Sequence, residues 1–299
     1  MSSKAADWFR IAFQFRGSVI PAIMSRTIVC GAFGVLVSIF HVSGYAVSKP
    51  IFGNVIPSIV LGLLLVFRTN TAYDRFWEGR KCWGAIVNTS RNLARHIWVA
   101  VLEKDEQDHI AKIATLKLLV AFAVATKLHL RQEGVNIELE ALMPTTKFNK
   151  LKGMNNPPLE VIFWISDFLQ EQEQRGRLNV HQMTAMHQLL DILVDNLGGC
   201  ERILRTPMPL AYAIHLKQLL LLYCLLLPFQ MVGELGWWTG PVVALISFTL
   251  FGIEAIGIEI ENPFGHDPND LPLDAICATM LRNIEDLISL SPSSRAYVD

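Results

Sequence analysis

Four stretches of the chain are apolar over nearly their whole length, with almost no charged residue inside them. About 20 helical residues cross a bilayer whose hydrocarbon core is about 30 Å thick, so each stretch is long enough, or nearly so, for one crossing. We therefore predict four transmembrane helices, at residues 28–47, 51–67, 216–235 and 237–260. The links SKP and GWWTG join these helices in pairs through a few residues each, which predicts two helical hairpins.

The region between the two pairs, residues 68–215, has the periodicity of soluble helices. The segments AIVNTSRNLARHIWVAVL and HIAKIATLKLLVAFAVATKLHLRQ place apolar residues at i, i+3, i+4 and i+7, and neither alternates as a strand does. The second segment is apolar enough to suggest a fifth crossing, but Lys112, Lys117 and Lys127 interrupt it. Because a lysine at mid-bilayer is costly, we predict instead a buried helix of a cytoplasmic bundle. The predicted fold class is an all-α membrane protein.

Basic residues gather on one side of the predicted transmembrane helices. They precede the first and third helices and follow the second, whereas the far-side links hold little beyond Lys49. Since lysine and arginine collect on the cytoplasmic side, we predict a multi-pass membrane protein with both termini in the cytoplasm. The predicted regions are an N-terminal cytoplasmic or interfacial segment (1–27), a first hairpin (28–67), a cytoplasmic helical region (68–215), a second hairpin (216–260) and a C-terminal cytoplasmic segment (261–299).

Composition supports a membrane protein and excludes other classes. Hydrophobic residues make up 52% of the 299 positions, more than an ordinary soluble domain carries. A net charge of −1 provides no overall field that would recruit nucleic acid. The five cysteines lack metal-ligand spacing, and we interpret them as structural. The motifs HExxH, GxSxG, GxGxxG and the Walker loop do not occur, so we predict neither an enzyme nor a required cofactor.

The second predicted transmembrane helix carries a regular apolar stripe. NVIPSIVLGLLLVFRTNTAYDRFW passes from apolar to charged sequence with no loop between, as a helix that lines a protein-enclosed aqueous path can do. Within it, Val55, Ile59 and Leu63 recur at i, i+4 and i+8. This spacing has two interpretations. The stripe is either ordinary helix packing, or a set of apolar rings that narrow a pore and control passage by dewetting.

The fourth predicted transmembrane helix contains an ionisable residue, Glu254. An ionisable group inside a membrane span is costly without a partner and marks a candidate site. We interpret Glu254 either as paired with an arginine of the first cytoplasmic helix, such as Arg75, or as facing water near the inner mouth of a pore.

Four segments, in this order along the chain, resemble the bestrophin family and most closely its bacterial branch: FRGSVIPAIMSR, VLGLLLVFRTNTAYDRFWEGRKCWG, CERILRTPMPLAYAIHLKQ and ENPFGHDPNDLPLDAIC. The resemblance extends over nearly the whole chain, and the NPFG turn with the acidic residues after it is the most specific part. It implies a homopentamer in the lipid of a bacterial inner membrane, with one central path for monovalent ions. The second transmembrane helix of each subunit would line a hydrophobic neck, whose positions fall on Val55, Ile59 and Leu63.

The same resemblance implies two more sites. The family's cytoplasmic constriction falls at His181, which is either a ring of five imidazoles that gains positive charge in acid or a solvated helix residue. The calcium clasp of animal relatives corresponds to Asp267 and Asp270. Because calcium takes six to eight oxygen ligands, two carboxylates would hold a divalent cation only weakly. The other interpretation is a turn in which the acidic side chains bond to backbone amides.

Together these features predict a passive channel for small monovalent ions. The neck is aliphatic here and aromatic in the animal members, so it lacks the weakly positive ring edge that an anion can contact. Chloride or another anion and sodium or another cation are both compatible with such a neck. The alternative function is a membrane-anchored scaffold whose cytoplasmic helices bind a partner.

Overall fold

A computed structural model describes residues 8–11, 13–49 and 55–290, with the side chain of Val55 left out. Every regular element in this part of the chain is helical. The elements used below are α1 (Ile20–Val42), α2 (Val55–Ala100), α3 (Glu106–Leu130), α4 (Ile137–Glu140), α5 (Thr145–Leu151), α6 (Pro157–Gln174), α7 (Val180–Arg205), α8 (Leu210–Leu235), α9 (Thr239–Glu259) and α10 (Leu273–Ser289). The chain forms two compact units, one from Met1–Phe76 and Pro207–Asp270, the other from Trp77–Thr206 and Leu271–Asp299.

The first unit, which we call the membrane unit, contains α1, the beginning of α2, α8 and α9. Its core consists of apolar side chains from all four helices, including Ile23, Leu61, Leu65, Leu220 and Val243. By length and apolar composition, α1, α2, α3 and the segment Leu210–Glu259 could each cross a membrane.

Helices α1 and α9 approach each other at glycines. A Cβ atom added to Gly34 would lie 2.9 Å from the Cα atom of Gly240, and one added to Gly31 would lie 2.9 Å from the Cβ atom of Ala244. Near the same crossing, the hydroxyl of Ser38 donates hydrogen bonds to the carbonyl oxygens of Gly34 (2.9 Å) and Gly236 (3.0 Å). Small residues allow transmembrane backbones to pack this closely, and no side chain larger than hydrogen fits at Gly34.

The helix bounds differ from the predicted spans in ways that have local causes. Helix α1 begins at Ile20 and not at residue 28, with a proline at its first turn, where the missing N–H is no loss. It ends at Val42 and not at residue 47, and Gly44 follows with φ +90°. Helix α8 begins at Leu210 and not at residue 216. The link between the first two predicted spans falls partly at residues 50–54, outside the described residues.

The second unit, which we call the helical unit, is built around α3. Most of α3 is buried there, and its lysines at positions 112 and 127 are each 1% exposed. The Lys112 amine donates to the Val101 carbonyl oxygen (2.6 Å) and pairs with Glu103 (2.9 Å). A buried charge is tolerated only when it is paired in this way. These lysines therefore lie on a helix that is buried within the helical unit.

Lys127 connects α3 to α10 within the helical unit through a salt bridge. Its amine lies 2.7 Å from a carboxylate oxygen of Glu138 and 2.7 Å from one of Asp274. Burial alone would lower the pKa of Lys127, but the hydrogen bonds that its amine donates to these two carboxylates outweigh burial and raise it. Hydrogen bonds from Arg131 and Lys127 lower the pKa of Asp274 to about 2. Lys127 and Asp274 therefore both stay charged at neutral pH.

Candidate functional site

Helix α2 leaves one apolar face uncovered in the membrane unit. Ile59 and Leu63 are 55% and 53% exposed, whereas Leu61 and Leu65, on the opposite face, are 3% and 2% exposed. The buried face also contacts α8, because the Tyr212 hydroxyl donates a 2.6 Å hydrogen bond to the carbonyl oxygen of Leu64. Val55 is the first residue of α2, and its side chain lies outside the described residues. The stripe predicted from periodicity therefore faces away from its own unit.

An ion pair that the sequence reasoning missed holds the buried face of α2 in place. Arg68 is 3% exposed, and its guanidinium lies 3.3 Å from a carboxylate oxygen of Glu261, just after α9. The other carboxylate oxygen of Glu261 accepts from the backbone N–H of Met208 (3.0 Å), and its carbonyl oxygen accepts from the Nε of Arg75 (3.1 Å). Glu261 thus joins α2, α9 and the start of α8. One signal in the sequence could have indicated this pair: Arg68 and Glu261 directly follow the second and fourth predicted spans, at the same predicted face of the membrane.

Glu254 is buried in α9, at 1% exposure. Its Oε2 atom lies 3.8 Å from the Nη1 atom of Arg26, while Oε1 has no hydrogen-bond partner among the described residues. The suggested partner Arg75 is wrong, since its Nε donates to the backbone of Glu261 instead. Because α1 begins earlier than predicted, Arg26 lies inside a helix that packs on α9 and not in a segment before it.

The acidic turn after α9 is closed by hydrogen bonds. A carboxylate oxygen of Asp270 accepts from the backbone N–H of Asp267 (2.8 Å). The side-chain amide of Asn269 donates to the carbonyl oxygen of Gly17 (3.1 Å) and to a carboxylate oxygen of Glu259 (2.8 Å). The Asn269 amide thereby links the turn to Glu259 of α9 and to the segment before α1. The described residues contain no group of three or more His, Cys, Asp or Glu placed to hold a metal.

His181 lies in the helical unit, in the first turn of α7, and is exposed. The turn is well ordered by a capping box. The Asn179 side chain accepts from the Gln182 N–H (2.9 Å), and the Gln182 side chain accepts from the Asn179 N–H (3.2 Å). The capping box therefore defines the helix end on which His181 lies.

Comparison with known proteins decides the family. Residues 1–286 match the family model described as Bacterial/Fungal Bestrophin protein. The chain belongs to the bestrophin family. A voltage-dependent anion channel-forming protein of Nostoc sp. is 71% identical over 99% of this bestrophin and 97% of the relative. One of Synechocystis sp. is 60% identical over 95% and 93% of the two chains. The crystal structure of a bacterial bestrophin homologue from Klebsiella pneumoniae superposes with a TM-score of 0.80 at 30% identity, over 90% of this chain and 100% of that one.

The helical unit of this bestrophin contains a cysteine pair that the sequence analysis treated as purely structural. Cys82 of α2 is half-buried and Cys200 of α7 is buried. A Cβ atom added to Gly199 would lie 2.9 Å from the Cys82 sulfur, which shows how closely the two helices meet. A hydrogen bond from the Cys200 thiol lowers the pKa of Cys82 to about 7 despite burial, and Arg202 adds to this effect. The same contact raises the pKa of Cys200.

We expect Cys82 to be the most readily alkylated of the thiols outside the membrane segments. With a pKa of about 7, roughly half of it is thiolate at neutral pH, whereas an ordinary thiol near pKa 8.5 is a few per cent ionised. Iodoacetamide labelling between about pH 5 and 9, followed by peptide mass spectrometry, should give a midpoint near 7 for Cys82.

Two comparisons check the cause of this reactivity. Replacing Cys200 by Ala removes the thiol that donates to Cys82, so the labelling midpoint should move upwards. Cys277, whose pKa burial raises to about 12, should stay unlabelled over the same range. A Cys82 midpoint that is the same with and without Cys200 would contradict the assigned hydrogen bond.

Proposed function

We propose that this bestrophin is one subunit of a homopentameric ion channel that passes small monovalent ions passively. Val55, Ile59 and Leu63 of five α2 helices would form its hydrophobic neck, and His181 a cytoplasmic constriction. No enzymatic step and no cofactor is part of the proposal. Weak binding of a divalent cation by Asp267 and Asp270 stays a prediction.

The observation that carries this proposal is the uncovered apolar stripe of α2. Ile59 and Leu63 are more than half exposed, although the opposite face of the same helix is buried on α8 and anchored by Arg68. The anchored face fixes which side of α2 points away from the unit. Five copies arranged about an axis would cover the stripe and place its side chains in rings, where an apolar bore controls passage by its wetting.

The names of the relatives support the proposal of a channel, and they favour anion over cation selectivity. Proteins 71% and 60% identical to this chain are named as voltage-dependent anion channel-forming proteins. We therefore propose chloride-like anions as the first candidates for the permeating ion, with small cations as the alternative.

The proposed topology has both termini and the helical unit in the cytoplasm of a bacterial cell, and the membrane unit in the inner membrane. Trp237 and Trp238, in the short turn between α8 and α9, are 59% and 71% exposed. Such exposed tryptophans suit the aromatic belt at the far membrane face. The anchoring arginines at the other ends of the helices suit the cytoplasmic face.

Two measurements test the proposal together. The protein purified in detergent should have about five times the chain mass of 33.5 kDa. Reconstituted into a planar bilayer under a NaCl gradient, it should conduct, and the sign of the reversal potential identifies the permeating ion. A silent monomer would overturn the proposal and would favour the membrane-anchored scaffold.

We expect acid to shift the selectivity of the channel toward anions through His181. Histidine changes charge between about pH 8 and 5, so five imidazoles about the axis would gain positive charge in acid and repel cations. The reversal potential under a salt gradient, measured at about pH 7.5 and about pH 5, should move toward that of the anion. In His181→Ala this movement should be lost, with His187→Ala as the control on the same helix. A shift of equal size in the wild type and in His181→Ala would show that His181 does not cause the pH dependence and is a solvated helix residue.

A further inference from the structure

A cavity of about 400 Å³ lies within the membrane unit between α1, α8 and α9. This volume is in the range of small-molecule sites. Three ionisable side chains line it, one from each helix: Arg26, Lys217 and Glu254. The rest of the wall is mostly apolar. Val29 and Leu221 in that wall are 65% and 54% exposed, so the cavity continues onto the apolar outer surface of the helices.

The three ionisable side chains lie at similar depths. Counted at 1.5 Å per residue, Arg26 is about 9 Å from the start of α1 and Lys217 about 10 Å from the start of α8, while Glu254 is about 8 Å from the end of α9. Long basic side chains at this depth reach the level of lipid headgroups while their stems stay on apolar surface. The polar end of the cavity is therefore at the membrane interface, and its apolar wall faces the acyl-chain region.

The charges in the cavity are not balanced within the chain. Arg26 and Lys217 contribute two positive charges and Glu254 one negative charge, and within the described residues no carboxylate pairs with Lys217. The net charge of the lining matches one monoanionic phosphate. In addition, the Oε1 atom of Glu254 is buried and has no hydrogen-bond partner in the described part of the chain. A buried carboxylate oxygen without a donor is costly, so a donor on a ligand would be stabilising there.

From this combination we infer that the cavity binds a phospholipid of the cytoplasmic leaflet whose headgroup carries a hydroxyl donor beside its phosphate. The phosphate lies between Arg26 and Lys217, and the hydroxyl donates to Glu254. One acyl chain follows Val29 and Leu221 onto the outer surface. The binding requires neither an open pore nor a particular selectivity, so it stands apart from the proposed channel function.

The first test varies the lipid. The detergent-purified full-length protein is titrated with dioleoyl phosphatidylglycerol, with the phosphatidylmethanol that has the same charge and chains but no hydroxyl, and with dioleoylglycerol, which has no phosphate. Thermal unfolding is the readout, because a ligand that binds the folded state raises the melting temperature. Phosphatidylglycerol should raise the melting temperature at about tenfold lower concentration than phosphatidylmethanol does, and dioleoylglycerol should change it little.

Soluble glycerol 3-phosphate tests whether the ligand is a phospholipid or a soluble phosphate compound. It has the phosphate and hydroxyls of the headgroup but no acyl chains. An equal shift with glycerol 3-phosphate would overturn the lipid assignment. Equal shifts with all three lipids, or none with any, would overturn the site itself.

The second test varies the protein. Arg26→Gln and Lys217→Gln should each weaken the binding of phosphatidylglycerol about tenfold, because each variant loses one charge-assisted contact to the phosphate. The matched control is Lys117→Gln, which removes an exposed lysine from α3 and should change nothing. Glu254→Leu should abolish the preference for phosphatidylglycerol over phosphatidylmethanol. Lys217 is exposed, so its variant should fold even where a change at buried Glu254 does not. An unchanged phosphatidylglycerol titration in Lys217→Gln contradicts the inference.

Discussion

Truncating Ile59 to alanine is expected to raise the single-channel conductance severalfold. Ile59 is the middle residue of the exposed stripe on α2, and in the proposed pentamer five copies form one ring. Each substitution removes apolar bulk from the bore, and a wider apolar constriction is more easily wetted. Planar bilayer recording of the reconstituted protein measures the effect, with the mass of the detergent-purified assembly checked first.

Val60 provides the matched control for this variant. It is the next residue of α2, is also apolar and is 46% exposed, but it lies about 100° around the helix from the stripe. Val60→Ala should leave the conductance near that of the wild type. If both variants conduct alike, or if the Ile59→Ala pentamer conducts as the wild type does, Ile59 does not form the barrier.

Introducing valine at Gly34 is expected to unfold the membrane unit or to lower its stability by about 3 kcal/mol or more, at the upper end of the range for overpacked cores. A Cβ atom at this position would already lie 2.9 Å from the Cα atom of Gly240 and 3.4 Å from its nitrogen. Backbone atoms cannot turn aside as a flexible side chain can, so α1 and α9 would have to separate. Fluorescence-detected thermal unfolding and the yield of monodisperse protein measure this loss.

Gly252 supplies the control because it lies on α9, in the same pair of helices. The nearest atom to a Cβ added there is the Cδ1 of Ile23, at 3.6 Å, which is ordinary van der Waals contact with the end of a mobile side chain. Gly252→Val should therefore change the stability by about 1 kcal/mol or less. A Gly34→Val protein that melts with the wild type would show that α1 and α9 do not approach as closely as described.

The Ile59→Ala prediction concerns the uncovered face of α2, and the Gly34→Val prediction concerns the packing of α1 on α9. The glycine crossing holds α1 against α9, and the Arg68–Glu261 pair holds α2 to the residue that follows α9. A stability change at Gly34 should accordingly be accompanied by a loss of assembly, whereas Ile59→Ala should change conduction without changing assembly.

Periodicity was a sound guide wherever a feature depended on one helix alone. The prediction that α3 is a buried helix is confirmed, because burying a lysine requires only that carboxylates or carbonyl oxygens lie near, as Glu103 does for Lys112. The spacing of Ile59 and Leu63 likewise placed them on one face, since a helix repeats every 3.6 residues whatever surrounds it. The continuous passage from apolar to charged sequence predicted one long helix, and α2 runs from Val55 to Ala100.

Sequence reasoning failed where two helices had to be rotated and aligned against each other. Arg75 was the partner suggested in one interpretation of Glu254, but the packing of α1 on α9 brings Arg26 to it instead. Likewise, nothing in the spacing of Cys82 and Cys200 shows that α2 and α7 meet with these two thiols in contact.

The sequence by itself determined the helical class, the apolar segments, the family and the stripe on α2, since each depends on local periodicity, composition or matching segments. Only the tertiary structure decided which face of α2 is buried, which arginine lies beside Glu254 and that three helices enclose a charged cavity. The physical reason is that these features depend on distances of a few ångströms between residues far apart in the chain. The distance between α1 and α9, for example, follows from the packing of their backbones at Gly34 and Gly240, which no single helix encodes.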